Sequence, residues 1–103
     1  MAKKSKVSIV RAHLSEKNLT EDQTEFLVLL YKKIRRCSDP TNHNIWCDVM
    51  GDELGMEDRR IRNLVNYFKD YPYRLTNTNE SENFSSFWAT DYFVDWMKDI
   101  GVM

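Results

Sequence analysis

Arginine and asparagine are concentrated in one stretch of the chain, residues 57–70, which has the residue spacing of a helix. At about 100° per residue, its apolar side chains share one face: Ile61, Leu64, Val65 and Phe68. Its polar side chains lie on or beside the opposite face: Arg59, Arg60, Arg62, Asn63 and Asn66, with Lys69 at the edge. Arginine and asparagine bond bidentately to guanine and adenine edges in the major groove of DNA. The stretch is therefore suited to base readout, and the alternative is a helix with a merely solvated outer face.

Other reactive side chains give weaker patterns. Four residues could in principle bind zinc: His13, Cys37, His43 and Cys47. Structural zinc sites usually contain a closely spaced cysteine pair, which this chain lacks. A cysteine–histidine nucleophile pair is also conceivable, but cysteines on apolar helix faces are usually small core residues. Because there is also no glycine-rich phosphate loop, we expect neither an enzyme nor a metal or other cofactor.

Several helices are predicted around this stretch. The clearest covers residues 21–37, where Thr20 and Gln23 form a capping box and Pro40 follows the end. A second helix is predicted over about 45–54, capped by Asn44 and ended by Gly55 in the left-handed conformation.

The second half of the chain predicts a hairpin and a last helix. Residues 73–78 and 84–89 are rich in aromatic and β-branched side chains and predict two strands joined by the polar loop 79–83. The helix is predicted over about 91–100, capped by Thr90 or Asp91. We expect any third strand from residues 41–44 or 7–10, and we interpret residues 1–19 as a short strand or a disordered basic arm.

Length and charge restrict the classes of protein. A chain of 103 residues fits one domain, and 3 glycines with 2 prolines favour helices over a turn-rich sandwich. The net charge of −1 conceals segregation: +4 over residues 1–19, −6 over 39–58, +4 over 59–74 and −4 over 75–103. No apolar run approaches the roughly 20 residues of a membrane-spanning helix. We expect a protein of the cytoplasm or nucleus, or of the host cytoplasm if it is viral, with no membrane partner.

The order of these elements resembles the winged helix-turn-helix superfamily. Leu54-Gly55 matches the family's turn, and Ile61, seven residues beyond Leu54, matches its core valine or isoleucine. The sequence Trp88-Ala89-Thr90-Asp91 resembles a turn before the last helix of small winged-helix proteins from phages and prophages. The resemblance covers about residues 20–100. It implies a mainly α fold with a small β-hairpin wing (α+β), as a single winged helix-turn-helix domain over 20–103 after a basic N-terminal arm over 1–19.

The resemblance implies sequence-specific binding of double-stranded DNA by a small transcriptional regulator or phage accessory protein, with helix 57–70 in the major groove. The expected contacts come from the helix, the base of the wing and the arm: Arg59, Arg60, Arg62, Asn63, Asn66, Lys69, Arg74, Lys3, Lys4 and Lys6. The alternative is a protein-interaction module, such as a phage-encoded inhibitor of a host system. The acidic segment 39–58 and the loop residues Glu80 and Glu82 motivate it, because both repel phosphate.

The last helix predicts a homodimer on DNA. About three side chains on the outer face of helix 57–70 can contact only a few base pairs. Helix-turn-helix proteins usually extend recognition by binding two half-sites. Residues 91–103 carry more apolar surface than one helical stripe needs, so Tyr92, Val102 and Met103 are expected to remain for a second copy.

Overall fold

The computed structural model describes residues 5–80 and 82–103. Helices dominate these residues: α1 (Lys6–Ser15), α2 (Glu21–Ile34), α3 (Cys47–Leu54), α4 (Asp58–Lys69) and α5 (Asp91–Asp99). The strands are β1 (Ile45–Trp46), β2 (Thr76–Asn77) and β3 (Ser86–Ala89), and a 3-10 helix, Pro40–Asn42, precedes β1. The expectation of a mainly helical α+β chain is confirmed. Within the described residues, no helix is both long and apolar enough to cross a membrane.

An aromatic cluster joins α2, α4 and β3. The ring of Phe26 stacks on Phe68 at 5.8 Å between centroids and on Phe87 at 5.6 Å. All three side chains are fully buried, and burying one such side chain contributes about 1.5–3 kcal/mol. The predicted apolar face of α4 is confirmed, because Ile61 and Val65 are also fully buried. This burial directs the opposite face of α4 away from the core.

Glycine makes the turn between α3 and α4 possible. Gly55 ends α3 with φ +68°, the left-handed conformation predicted for it. The amide of Met56 donates to the carbonyl of Gly51 at 2.9 Å. A Cβ at residue 51 would lie 2.5 Å from the carbonyl oxygen of Met56, closer than real Cβ atoms approach. Gly51 therefore leaves room for the carbonyl of Met56 in the turn between the two helices.

The three-stranded sheet is antiparallel, with β3 between β1 and β2. Thr76 pairs with Ala89, which confirms the hairpin, although its strands are shorter than predicted. The hydroxyl of Thr76 donates to the carbonyl of Val65 at 2.7 Å, and the amide of Leu75 donates to that of Phe68 at 2.7 Å. The hairpin is thereby attached directly to the second half of α4.

The prediction for the third strand was wrong. The strand is Ile45–Trp46, and neither 41–44 nor 7–10 is extended in the sheet. Ile45 pairs with Phe87 and is almost completely buried, so burial favours a strand at residues that also fit a helical pattern. Helix α3 consequently begins at Cys47, and Asn44 does not cap it. Helix α2 has the predicted capping box but ends at Ile34 rather than Cys37.

The interpretation of residues 6–15 as a strand or disordered arm was also wrong, because they form α1. Ser5 caps this helix by accepting from the amide of Ser8 at 3.1 Å. Val10 and Leu14, one turn apart, are fully buried. Arg11 forms a bidentate ion pair with Glu25 of α2, with Nη2 at 2.9 Å from Oε2. The predicted arm residues Lys3 and Lys4 lie outside the described residues.

The end of the chain contributes to the core, contrary to part of the dimer prediction. Val102 is 2% exposed, and its carbonyl accepts from the hydroxyl of Tyr31 at 3.0 Å. Val102 is therefore not available to a partner, whereas Tyr92 is 60% exposed. The hydroxyl of Thr90 donates to the carbonyl of Arg74 instead of capping α5.

We predict that Gly51→Ala lowers the free energy of unfolding by about 1–3 kcal/mol, because the added methyl group clashes with the carbonyl of Met56 and distorts the turn between α3 and α4. Urea denaturation followed by circular dichroism measures this change. Asp52→Ala, at the next and exposed position of α3, is the control and is expected to stay within about 0.5 kcal/mol. A stabilisation by Gly51→Ala, as at an open helical glycine, would contradict this clash.

Candidate nucleic-acid interface

The structure brings four of the predicted reading residues together. Arg59 and Asn63 are exposed on α4, and Arg62 and Asn66 are half-buried beside them. All four line a groove of about 440 Å³. The second wall of this groove is the segment 82–84, at the end of the hairpin loop.

The second wall is held against the protein at two points. Phe84 is 5% exposed, so its ring anchors the segment in the core. The next residue, Ser85, accepts from the amide of Cys47 at 2.9 Å through its carbonyl. Asn83 adopts φ +55°, a conformation that asparagine tolerates better than most residues. These contacts place Glu82 and Asn83 opposite the polar face of α4.

Arg60 is separated from this group by its partner. Its guanidinium forms an ion pair with Asp22 in the first turn of α2. Both side chains are more than a third exposed, so the pair contributes little to stability. Arg60 therefore lies beside the groove, directed towards α2.

Lys69 and Arg74 line a second groove, of about 330 Å³, at the base of the hairpin. Arg74 has φ +51°, and its guanidinium carbon lies 5.6 Å from the centre of the Tyr71 ring. Asp91 lines the same groove. Lys6 is exposed at the first residue of α1, outside both grooves.

Cys47 lacks the features of an activated nucleophile. Cys47 is 2% exposed, and burial raises the pKa of its thiol to about 11; Arg62 lowers that pKa in part, whereas Asp58 and Asp48 raise it further. An activated cysteine needs a lowered pKa and an accessible sulfur. Within residues 5–80 and 82–103, no group of three or more histidine, cysteine or acidic residues is arranged to hold a metal ion.

The sequence alone does not place the segment 82–84 beside α4. From the sequence, Glu80 and Glu82 predict only repulsion of phosphate. The position of Glu82 opposite Arg59 depends on the pairing of β2 with β3 and on the burial of Phe84. The apolar residue Phe84, directly after a polar loop, is the local feature that indicates burial of this segment.

No family model matches this chain, and no match was found among curated proteins or solved structures. The shape and charge of the two grooves are therefore the basis for a functional proposal.

We predict that the thiol of Cys47 is almost unreactive in the folded protein. With a pKa of about 11, roughly 0.1% of the thiol is ionised at pH 8. In a Cys37→Ser variant, alkylation by iodoacetamide at pH 8 should be at least about a hundredfold slower than in the urea-unfolded chain. The rate should rise as the pH approaches 11. Equal rates in the folded and unfolded chains would show that Cys47 is accessible and contradict the prediction.

Proposed function

We propose that this chain is a winged helix-turn-helix protein that binds double-stranded DNA sequence-specifically, as a small transcriptional regulator or phage accessory protein. The fold assignment is supported by the order α2, β1, α3, α4, β2, β3 and by the sheet order β1-β3-β2. The tight turn at Leu54-Gly55 between α3 and α4 supports it as well. In this assignment α4 is the recognition helix and β2–β3 form the wing.

The observation that carries the proposal is the outer face of α4. Arg59 and Asn63 lie one turn apart and exposed, and no acidic residue occurs from position 59 to 69. The buried opposite face fixes the orientation of α4, so the side chains are presented on a rigid element. A helix fits into the major groove, where Arg can read guanine and Asn can read adenine.

The remaining cations position the duplex. Lys69 and Arg74, in the second groove, contact phosphates beside the base-reading face. Lys6, together with Lys3 and Lys4, contributes sequence-independent attraction from the N-terminal region. Arg60 contributes less than the others, because it is already paired with Asp22.

We predict that Arg59→Ala and Asn63→Ala each weaken specific binding by about 1–3 kcal/mol and relax the base preference at one position. The controls are Arg36→Ala and Asn42→Ala, which remove exposed side chains of the same types from outside α4. Fluorescence anisotropy with a duplex selected from a random pool, and with a random duplex, measures both affinities. Equal losses on both duplexes would contradict base readout.

The salt dependence of duplex binding tests the proposal separately. If about five or six phosphates are neutralised, the logarithm of the binding constant should fall with the logarithm of salt with a slope of about −4 to −6. Lys69→Ala should make this slope shallower by about one without changing base preference. A slope near zero, or no duplex binding at about 50 mM salt, would contradict the proposal.

A protein-interaction module is the second candidate. All six acidic side chains of the segment 39–58 are exposed, and such a surface favours a basic protein partner over DNA: Asp39, Asp48, Asp52, Glu53, Glu57 and Asp58. Trp46 and Val49 are exposed on the same part of the chain. Recovery of one protein partner at stoichiometric amounts, together with absent duplex binding, would favour this candidate.

We further propose a homodimer on DNA through α5, with Tyr92 at the contact. Its ring is 60% exposed and borders an apolar groove that also includes Trp96 and Pro72. Two copies would read half-sites about 34–36 Å apart. Sedimentation with and without duplex should give two copies per selected duplex, and the uncharged change Tyr92→Ala should reduce this to one. One wild-type copy per duplex would contradict the dimer.

A further inference from the structure

Glu82 is a carboxylate in the groove that otherwise presents basic and amide groups. It lines this groove with Arg59 and Arg62. It nevertheless forms no ion pair within 4.0 Å with another described residue. An acidic side chain that only neutralised these arginines would be expected to contact one of them. Glu82 is therefore available to a ligand that enters the groove.

A carboxylate is repelled by the phosphates of a DNA duplex but can bind to some of its bases. A carboxylate accepts hydrogen bonds but donates none when ionised, so phosphate oxygens repel it. The exposed amino group of cytosine in the major groove donates, and Glu is among the side chains suited to it. Beside Arg59, the same residue therefore disfavours contact with the backbone and favours contact with a cytosine.

We propose that Glu82 is a specificity-determining residue that accepts a hydrogen bond from the amino group of a cytosine next to the bases read by Arg59 and Asn63. This inference rests on the proposed function, since it requires α4 to lie in the major groove. Glu82 also lowers the affinity for random duplexes, in which the arginines contact phosphates and bring the carboxylate beside them. Specificity then arises from one attractive contact and one repulsive contact of the same side chain.

The hairpin loop supplies a matched control. Glu80 lies two residues before Glu82 and carries the same charge, but it lines a different cavity, with Thr78 and Ser86. Glu82 precedes Asn83 and the buried Phe84, which fix it beside α4. Replacing either residue by alanine therefore changes the net charge equally, but only Glu82→Ala removes the proposed contact with a base.

The test compares Glu82→Ala with Glu80→Ala on three duplexes. These are the duplex selected by the wild-type protein from a random pool, the same duplex with the proposed C·G pair changed to T·A, and a random duplex. Wild-type protein should prefer C·G over T·A at that pair by about tenfold. Glu82→Ala should abolish this preference and raise random-duplex affinity by about two- to fivefold. Glu80→Ala should keep the cytosine preference.

A second variant separates charge from hydrogen bonding. Glu82→Gln removes the charge but keeps an oxygen acceptor, so it should raise random-duplex affinity and retain part of the cytosine preference. Thermal unfolding of each variant shows whether the fold is intact, because residue 82 is exposed and all variants should melt alike.

Two negative results are distinguishable. If wild-type protein binds and selects duplexes, but Glu82→Ala and Glu80→Ala change all three affinities equally, Glu82 does not read a base and the proposed function stands. A selected duplex without a cytosine next to the base contacted by Arg59 would likewise show that Glu82 does not read a base, and the proposed function would stand. If wild-type protein binds no duplex, the proposed function itself is wrong.

Discussion

The stacking of Phe26 against Phe68 and Phe87 is the contact on which the rest of the structure depends. It connects α2, α4 and the central strand β3 in one buried cluster. Because Phe68 must face this cluster, Arg59 and Asn63, on the other side of α4, must face solvent. Because Phe87 belongs to the same cluster, the hairpin is held beside α4, and the loop before β3 becomes the second wall of the groove. One apolar constraint thus determines both sides of the candidate interface.

Long amphipathic helices were predictable, and short non-local elements were not. In α2 and α4 the apolar spacing repeats over several turns, and Thr20 and Gln23 cap α2 as expected. Strand β1 has two residues, too few to show a period, and it is identified by the pairing of Ile45 with Phe87 and of Trp46 with Ser86. The apolar residues of helix α1 are poorly segregated to one face, and the helix is stabilised by burial of Val10 and Leu14 and by the pair between Arg11 and Glu25.

The sequence predicted which residues of α4 share a face, but not which other segments contact that helix. Helical geometry was enough to group Arg59, Asn63 and Asn66, because they belong to one element. The partner of Arg60 on α2 and the position of Glu82 depend on the tertiary arrangement of separate segments. The acidic residues of segment 39–58 are all exposed. Because Asp48 and Asp58 line one cavity together with Arg62, the segregation of charge along the sequence is only partly retained in space. A duplex on the outer face of α4 must therefore contact Arg59 and Asn63 without approaching these carboxylates.

The central claim, that duplex DNA binds to the outer face of α4, is tested most directly by nuclear magnetic resonance of the ¹⁵N-labelled protein titrated with a duplex at low salt. The largest shifts should occur at the backbone and side-chain amides of Asn63 and Asn66 and at the amides of Arg59 and Glu82. Resonances of the exposed acidic residues Asp39 and Asp52 should change little. Shifts centred on α3 or α5, with α4 unchanged, would show that the duplex binds elsewhere.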